Sequence, residues 1–309
     1  MRILFFGTPA FAVPSLRALL AAGHEVVGVV TQPDRAHGRS RSVLVPPPVK
    51  VEALAAGLRV LQPEKPVGVQ LIDQLSAFRA DLGVVVAYGH ILRPEILRIP
   101  THGMINVHAS LLPRWRGAAP IQWAIRSADR ETGVSIMQME AGLDSGPVWH
   151  ARATAIGPHE TGGTLTERLS ILGAEALLDA LPRIVAGATP VPQDASAVTI
   201  APKIDRATAH IDWDDSAERL AHHVAAFDPA PGAWTTLNGI DVKVFGATER
   251  TERTEGAEPG TVVRADDELE VSTGAGTLLV REAQPSGKKR QSVAEWVRGR
   301  GIAAGARFS

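Results

Sequence analysis

Residues 104–117, MINVHASLLPRWRG, are the stretch that decides how this chain folds. The segment from Met104 to His108 is apolar without a helical period, which predicts a short buried strand. Side chains two residues apart on a strand share a face, so Asn106 and His108 point the same way. The following Leu-Leu-Pro turn ends the strand at its carboxyl end, where open parallel sheets bind their ligands.

A second polar position, Asp144, lies between two glycines in the segment 142–146, GLDSG. It follows the apolar run 132–139, a predicted strand, and the glycines favour a tight loop that carries the carboxylate. An amide, an imidazole and a carboxylate, with no cysteine and no serine nucleophile motif, indicate acyl transfer directly between bound substrates. The Asn-x-His pair alone does not establish this, because such a histidine is more often structural.

The longer pattern resembles the formyltetrahydrofolate-dependent formyltransferases. The resemblance is carried by 106–122, NVHASLLPRWRGAAPIQ, and by 132–146, TGVSIMQMEAGLDSG. It continues in FGTPAFA at 6–12, TQPDR at 31–35, VVAYG at 85–89 and IDW at 211–213, and so covers nearly the whole chain.

The resemblance implies a formyl transfer from 10-formyltetrahydrofolate, used as a donor substrate, without a metal. Asn106, His108 and Asp144 would be catalytic, with the amide donating to the oxyanion, the imidazole moving a proton and the carboxylate orienting the imidazole. The tetrahydrofolate would be bound by two short segments, whose residues are Ser110, Leu111, Leu112 and Pro113, together with Ile91 and Leu92.

Within that family, the segments outside the core are most similar to those of the enzymes that formylate the amino group of methionine on initiator tRNA, for translation initiation. A long loop, 32–48, contains three consecutive prolines and is predicted to be irregular. The candidate tRNA-binding residues are all basic: Arg39 and Arg41 in that loop, Lys203 and Arg206 farther along, and Lys288, Lys289 and Arg290 near the end.

Three alternatives stay open at this point. The same core would serve an enzyme that formylates a small amine, such as an amino sugar nucleotide or glycinamide ribonucleotide. A non-enzymatic RNA-binding protein would leave the Asn, His and Asp constellation unexplained. A nicotinamide oxidoreductase is disfavoured because the Gly-x-Gly-x-x-Gly pattern is missing after the first strand.

The composition is that of an ordinary globular protein, with 309 residues, 45% hydrophobic and 21% charged. Its 32 basic and 33 acidic residues give no global field that favours nucleic acid, so any RNA contact has to be local. With no cysteine there are neither disulfides nor thiol chemistry. We expect the protein in the cytoplasm, because the apolar run at the start is too short for a signal peptide core and no stretch approaches a membrane span. We also expect a monomer.

Alternating strand and helix patterns predict an α/β fold, a doubly wound, mostly parallel (Rossmann-like) sheet, over residues 1–181. Thr164 and Glu167 resemble a capping box that opens a helix ending near Leu181. Residues 182–207 are predicted to be a linker. Five short strand patterns follow in 208–309, which suits a small barrel, and the family resemblance implies an OB-like one.

Overall fold

The computed structural model describes residues 1–37, 43–252 and 256–309. These fall into two units. The first unit contains Met1–Gly117, Thr132–Thr154 and Thr166–Ile200, and the second contains Ala118–Glu131, Ala155–Leu165 and Ala201–Ser309. Among the described helices, none has the length and apolar character needed to cross a bilayer.

A seven-stranded sheet lies at the centre of the first unit. In spatial order its strands are β10 (Val148–Ala155), β9 (Glu131–Gln138), β7 (Met104–His108), β6 (Leu82–Val86), β1 (Arg2–Gly7), β2 (Glu25–Val30) and β5 (Val60–Leu61). The pairs from β7 to β5 are parallel, and β9 runs antiparallel to β7. The predicted doubly wound, mostly parallel sheet is therefore confirmed.

The sheet is buried because its strands are continuous apolar runs. The side chains of β6 and of Ile3 to Phe6 are all buried, as expected where helices cover both faces of a parallel sheet. The helices are α1 (Val13–Ala21), α2 (Pro48–Ala55), α3 (Val69–Ser76), α4 (Pro94–Leu97) and α6 (Gly162–Val185).

Two parts of the first unit differ from the sequence-based expectation. The flanks of the loop 32–48 are not irregular, because β3 (Arg35–His37) pairs antiparallel with β4 (Val43–Val45). Strand β10 was not predicted at all. It is an edge strand whose side chains are half-buried or exposed and include His150 and Arg152, so it lacks the apolar run that marks the other strands.

The helix predicted to begin near Thr164 starts earlier and ends later. Thr161 and Thr164 exchange hydrogen bonds, from the Thr161 amide to the Thr164 hydroxyl at 2.9 Å and from the Thr164 amide to the Thr161 hydroxyl at 3.2 Å. This pair, rather than Thr164 with Glu167, caps the helix. The helix also passes through Pro182 to Val185, beyond the expected end at Leu181.

The second unit is built on an antiparallel sheet. Its strands are β12 (Ala233–Leu237), β13 (Ile240–Arg250), β16 (Thr277–Pro285), β15 (Leu269–Ser272) and β14 (Val262–Ala265), in that spatial order, with β17 (Gln291–Ser292) paired to β16. The helices are α5 (Pro120–Arg126), α7 (Ala217–Phe227) and α8 (Val293–Arg298). Two further short strands, β8 (Arg116–Gly117) and β11 (Ile200–Ala201), begin in the first unit, where the amide of Arg116 donates to the carbonyl of Thr199 at 2.9 Å.

The last residues of the chain close this sheet into a barrel. The amide of Val262, on β14, donates to the carbonyl of Ala306 at 2.8 Å. Thr236, on β12, exchanges hydrogen bonds of 2.9 and 3.0 Å with Ser309. The tail thus joins the two edge strands, which removes the open edges that an unpaired sheet would expose. The predicted OB-like barrel agrees with this closed antiparallel sheet.

We expect the closure to depend on Phe308, whose side chain is 2% exposed and stacks on Trp213 with ring centroids 5.4 Å apart. Phe308→Ala should lower the free energy of unfolding by about 3 to 5 kcal/mol, because it leaves a cavity under the closing segment. Ile240→Ala, at a position 55% exposed on β13, is the control and should change it by less than about 1 kcal/mol. Urea unfolding measures both, and equal midpoints for the two variants would contradict the role of Phe308.

Helix α7 contains a buried histidine that makes stability depend on pH. His223 is 6% exposed and packs edge-on against Phe227. Its Nδ1 accepts a hydrogen bond from Nε of Arg126 at 3.3 Å. Burial lowers the pKa of His223 from 6.5 to about 4. The unfolded chain therefore takes up this proton at a higher pH than the folded chain does, so stability is lost as pH falls from about 6.5 to about 4.

His223→Gln should flatten this dependence. In the unchanged protein the contribution of His223 to the fall in unfolding free energy between pH 6.5 and 4 is about 3 kcal/mol, from the difference between the two pKa values. Chemical denaturation of both proteins at several pH values across this range measures the slope. An unchanged slope in the variant would show that protonation of His223 is not coupled to unfolding.

Candidate active site

His108 ends strand β7 at the carboxyl edge of the parallel sheet, as expected. Its side chain is 5% exposed, and Nε2 lies 2.9 Å from the carbonyl oxygen of Trp115. Because a carbonyl can only accept, Nε2 carries the hydrogen in the neutral imidazole. The lone pair is therefore on Nδ1, which is the nitrogen free to take up a proton.

The Asp144 carboxylate faces that nitrogen. Its Oδ2 lies 3.7 Å from His108 Nδ1, too far for a hydrogen bond but close enough to stabilise a positive imidazolium. The same oxygen accepts a hydrogen bond from the amide of Gly117 at 2.8 Å. One carboxylate thus contacts the loop after β7 and the ring at the end of β7.

The loop that carries Asp144 has a strained, tightly defined backbone. Asp144 itself has a φ of 45°, in the left-handed region that aspartate tolerates better than most residues. Gly146 has to be glycine, because a Cβ there would overlap the carbonyl oxygen of Gln138. The glycines that indicated a tight loop in the sequence therefore correspond to a fixed conformation that points the carboxylate at His108.

Asn106 lies two residues before His108 on the same face of β7, opposite Val85 on β6 and Met137 on β9. It is half-buried, whereas the other residues of the strand are buried. Its amide makes no hydrogen bond to another residue in the described part of the chain. An amide at this position is available to donate to an oxygen of a bound reactant.

The turn from Ser110 to Pro113 is held by Ser135 on β9. The Ser135 hydroxyl donates to the carbonyl of Ser110 at 2.8 Å and accepts from the amide of Leu112 at 3.0 Å. The Ser110 side chain is buried and donates to the carbonyl of Arg114 at 2.6 Å. Leu111, Leu112 and Pro113 are half-buried, and Leu112 and Pro113 border a cavity of about 340 Å³.

The two candidates in the loop after β6 differ in exposure. Ile91 is 89% exposed, while Leu92 is 5% exposed and packs in the core of the first unit with Tyr88 and Ile96. Only Ile91 therefore offers an accessible apolar surface. On the loop of Asp144, the neighbouring Leu143 is also largely exposed.

Sequence reasoning missed two polar residues that contact this site, Gln193 and Thr199. Both come from the segment predicted to be a linker, and their side chains bond to the loops of Asp144 and Trp115. No local signal marks them, since they lie in a Val, Pro, Ala and Thr-rich stretch without periodicity. Only the tertiary structure reveals their partners.

The basic candidates fall into three groups. Arg39 and Arg41 lie outside the described residues. Arg206 and Arg290 have acidic partners: Arg206 pairs with Asp241 at 2.7 Å, and Arg290 pairs with Asp228 at 2.7 Å. The exposed candidates with no acidic partner among the described residues are Lys203, Lys288 and Lys289.

The fold and the site geometry are those of an α/β enzyme, with the Asn106 amide and a His108–Asp144 pair, which we call the acid-base pair for the role proposed below, at the carboxyl edge of the sheet. In the described part of the chain no group of three or more His, Asp or Glu side chains could hold a metal ion. Residues 1–181 match the family described as "Formyl transferase", and residues 203–301 match "Formyl transferase, C-terminal domain". The chain belongs to the formyl transferase family.

Individual relatives agree with this assignment. The chain is 50% identical over 303 residues to a protein of Xanthomonas axonopodis pv. citri named methionyl-tRNA formyltransferase, covering 97% of this chain and 98% of that protein. It is 49% identical over 312 residues to the protein of that name from Symbiobacterium thermophilum, covering 100% of this chain and 95% of the other.

A solved structure shares the fold. HypX from Aquifex aeolicus, in complex with tetrahydrofolic acid, aligns with a TM-score of 0.65 at 20% identity over 96% of this chain. The alignment covers 47% of HypX, so this chain spans about half of its length.

Replacing Asp144 tests the acid-base pair. Asp144→Asn keeps an oxygen that can accept from the Gly117 amide but removes the negative charge that faces His108. We expect the rate constant of formyl transfer to fall by about 100-fold, within the usual range for general acid-base groups. The thermal midpoint should stay close to that of the unchanged protein.

Asp73→Asn is the matched control, because Asp73 is exposed on α3 and makes no side-chain contact in the described part of the chain. His108→Ala should show a loss at least as large as Asp144→Asn. Near-normal turnover in either site variant, measured under saturating substrates, would remove that residue from the reaction.

Proposed function

We propose that this protein transfers the formyl group of 10-formyltetrahydrofolate to the amino group of methionyl-tRNA, the step that prepares initiator tRNA for translation. The observation that carries the proposal is the 50% identity, over both domains, to a protein named methionyl-tRNA formyltransferase. We also propose that it acts in the cytoplasm, where initiator tRNA is used, and as a monomer.

The chemistry follows from the charges at the site. The amino nitrogen of methionine attacks the formyl carbon, forming a C–N bond and a tetrahedral adduct with negative charge on oxygen. The Asn106 amide donates to this oxygen. The proton lost by the amine goes to His108 Nδ1, and Asp144 stabilises the imidazolium that results.

Collapse of the adduct returns that proton. The bond between the formyl carbon and N10 of the folate breaks, the electron pair stays on N10, and the imidazolium protonates this nitrogen. Tetrahydrofolate leaves and the amide of formylmethionine remains on the tRNA. No covalent intermediate with the protein is required, in agreement with the lack of cysteine.

For the folate, we propose the surface formed by Ser110 to Pro113 and Ile91. The half-buried Leu111 and Leu112 and the exposed Ile91 supply apolar area for flat rings. The Ser110 hydroxyl donates to the Arg114 carbonyl and so also supports the turn. Leu92 is a core residue that supports its neighbour Ile91.

For the tRNA, we propose that Lys203, Lys288 and Lys289 bind backbone phosphates, in addition to Arg39 and Arg41. The segment with Lys203 and the segment with Lys288 and Lys289 both contact Asp241. The carboxylate of Asp241 pairs with Arg206, and its carbonyl accepts from the amide of Ser286 at 2.8 Å, so the two segments lie at the same end of the barrel. Arg206 stacks on Trp234 and pairs with Asp241, and Arg290 pairs with Asp228, so the charges of these two arginines are already partly compensated.

The decisive assay incubates the protein with 10-formyltetrahydrofolate and methionyl initiator tRNA, beside charged elongator tRNA, an amino sugar nucleotide and glycinamide ribonucleotide. We expect formylmethionyl-tRNA to form in the first reaction only. Formylation of a small amine without formylation of the tRNA would contradict the proposed acceptor. Binding of tRNA without turnover would contradict the proposed reaction.

The lysines at the barrel end predict a salt-dependent effect on tRNA. Lys288→Ala with Lys289→Ala should raise KM for methionyl-tRNA and lower the slope of log KM against log salt by about one to two, because up to two phosphate contacts are lost. The kcat should not change. Lys65→Ala, at an exposed position of the first unit, is the control. An unchanged salt slope in the double variant would place the RNA elsewhere.

A further inference from the structure

The segment 193–199, which we call the clamp, contacts both halves of the candidate active site. It lies within residues 182–207, which are predicted from the sequence to be a linker. None of its residues is a candidate site residue in the sequence analysis. In the structure, its first residue bonds to the loop of Asp144 and its last residue bonds to the loop of Trp115. All these residues belong to the first unit.

Gln193 joins the Asp144 loop to Arg116. Its amide nitrogen donates to the carbonyl of Asp144 at 2.9 Å and to the carbonyl of Gly146 at 2.7 Å. Its amide oxygen accepts from Nε and Nη2 of Arg116 at 2.9 and 2.8 Å. The Gln193 amide thereby uses both of its donors and its acceptor. The two carbonyls that it binds are those of Asp144, the residue with positive φ, and of Gly146.

Thr199 holds the other half of the site. Its hydroxyl accepts from the amide of Trp115 at 2.8 Å, and its carbonyl accepts from the amide of Arg116 at 2.9 Å. Trp115 is the residue whose carbonyl binds Nε2 of His108, and it has a left-handed φ of 60°. For a tryptophan this backbone conformation is unfavourable and needs the surrounding contacts to maintain it.

We propose that Gln193 and Thr199 are positioning residues that set the orientation of Asp144 and His108 for formyl transfer; this rests on the proposed function. Each fixes a residue with positive φ that is not glycine, and each acts on one member of the acid-base pair. The pair itself is not hydrogen-bonded, since 3.7 Å separates the imidazole from the carboxylate. Its geometry therefore has to be set by the loops, and the clamp is what holds them.

A purely structural role would leave a different signature. Loss of stability alone lowers the amount of folded enzyme, whereas a displaced acid-base pair lowers kcat in the enzyme that is folded. A displacement of about 1 Å at a reacting group can cost up to about 100-fold in rate. The variants below change one hydrogen-bonding group each and keep the shape of the side chain.

Thr199→Val removes only the hydroxyl that accepts from the Trp115 amide. We expect kcat for methionyl-tRNA to fall by about ten-fold, with KM for both substrates within about two-fold of the unchanged protein. Thr199→Ser restores the acceptor and should recover most of kcat. Thr189→Val is the matched control, because Thr189 is exposed, and its hydroxyl makes no hydrogen bond in the described part of the chain.

Gln193→Glu tests the other half. A glutamate keeps the acceptor for Arg116 but places an oxygen against the carbonyls of Asp144 and Gly146, so the loop loses its two donors. We expect kcat to fall by at least about ten-fold with little change in KM. Gln74→Glu, an exposed glutamine on α3, controls for the added charge.

Formyl transfer by the unchanged protein is measured first. If it is absent, the proposed function is refuted, and the positioning role of Gln193 and Thr199 is not what has failed. With an active protein, wild-type kcat in Thr199→Val, or equal losses in Thr199→Val and Thr199→Ser, would overturn the role of Thr199. Thermal unfolding checks every variant. If Thr199→Val is unfolded, the proposal is tested with Gln193→Glu instead. Folded Gln193→Glu protein with wild-type kcat overturns the proposal, and folded Gln193→Glu protein with reduced kcat supports it.

Discussion

The hydrogen bond between the Gly117 amide and the Asp144 carboxylate is the contact on which the candidate site depends. It joins the loop after β7 to the loop after β9, and the same carboxylate oxygen faces His108. Strands β7 and β9 are neighbours in the sheet and run antiparallel, yet both loops meet next to the end of β7. The sheet brings the two loops near each other, and this bond joins them directly at the carboxylate that faces the imidazole.

The backbone that positions this pair is strained. Both loops contain backbone conformations that most residues avoid, with positive φ at Trp115 and Asp144. Strain of this kind persists only where neighbouring groups over-determine it. Ser135 on β9, and Gln193 and Thr199 in the clamp, supply such groups from two separate parts of the chain. The site is therefore a property of the whole first unit, although the residues proposed to do the chemistry lie within 39 positions of one another.

Whether a strand or a site residue could be predicted depends on the kind of pattern that it leaves in the sequence. The buried strands were readable because Ile3 to Phe6 and Leu82 to Val86 are continuous apolar runs, and the place of His108 followed from strand periodicity. Strand β10 could not be predicted, because an edge strand with polar residues lacks such an apolar run. The partners of Gln193 and Thr199 were not predictable either, since a hydrogen bond between residues 47 or more positions apart leaves no local pattern. Within the basic candidates, the sequence could not separate Arg290, which pairs with the buried Asp228, from Lys288 and Lys289, which have no acidic partner in the described part of the chain.

The central claim, that Asn106, His108 and Asp144 surround the formyl carbon, is tested most directly by a crystal structure of the protein with a non-transferable tetrahydrofolate that still carries its formyl group. We expect the formyl carbon near all three side chains, with its oxygen at hydrogen-bonding distance from the Asn106 amide and the attacking side open toward His108 Nδ1, at about 3 to 4 Å. A formyl group bound elsewhere, with Asp144 turned away from it, would contradict the assignment of these residues to the reaction.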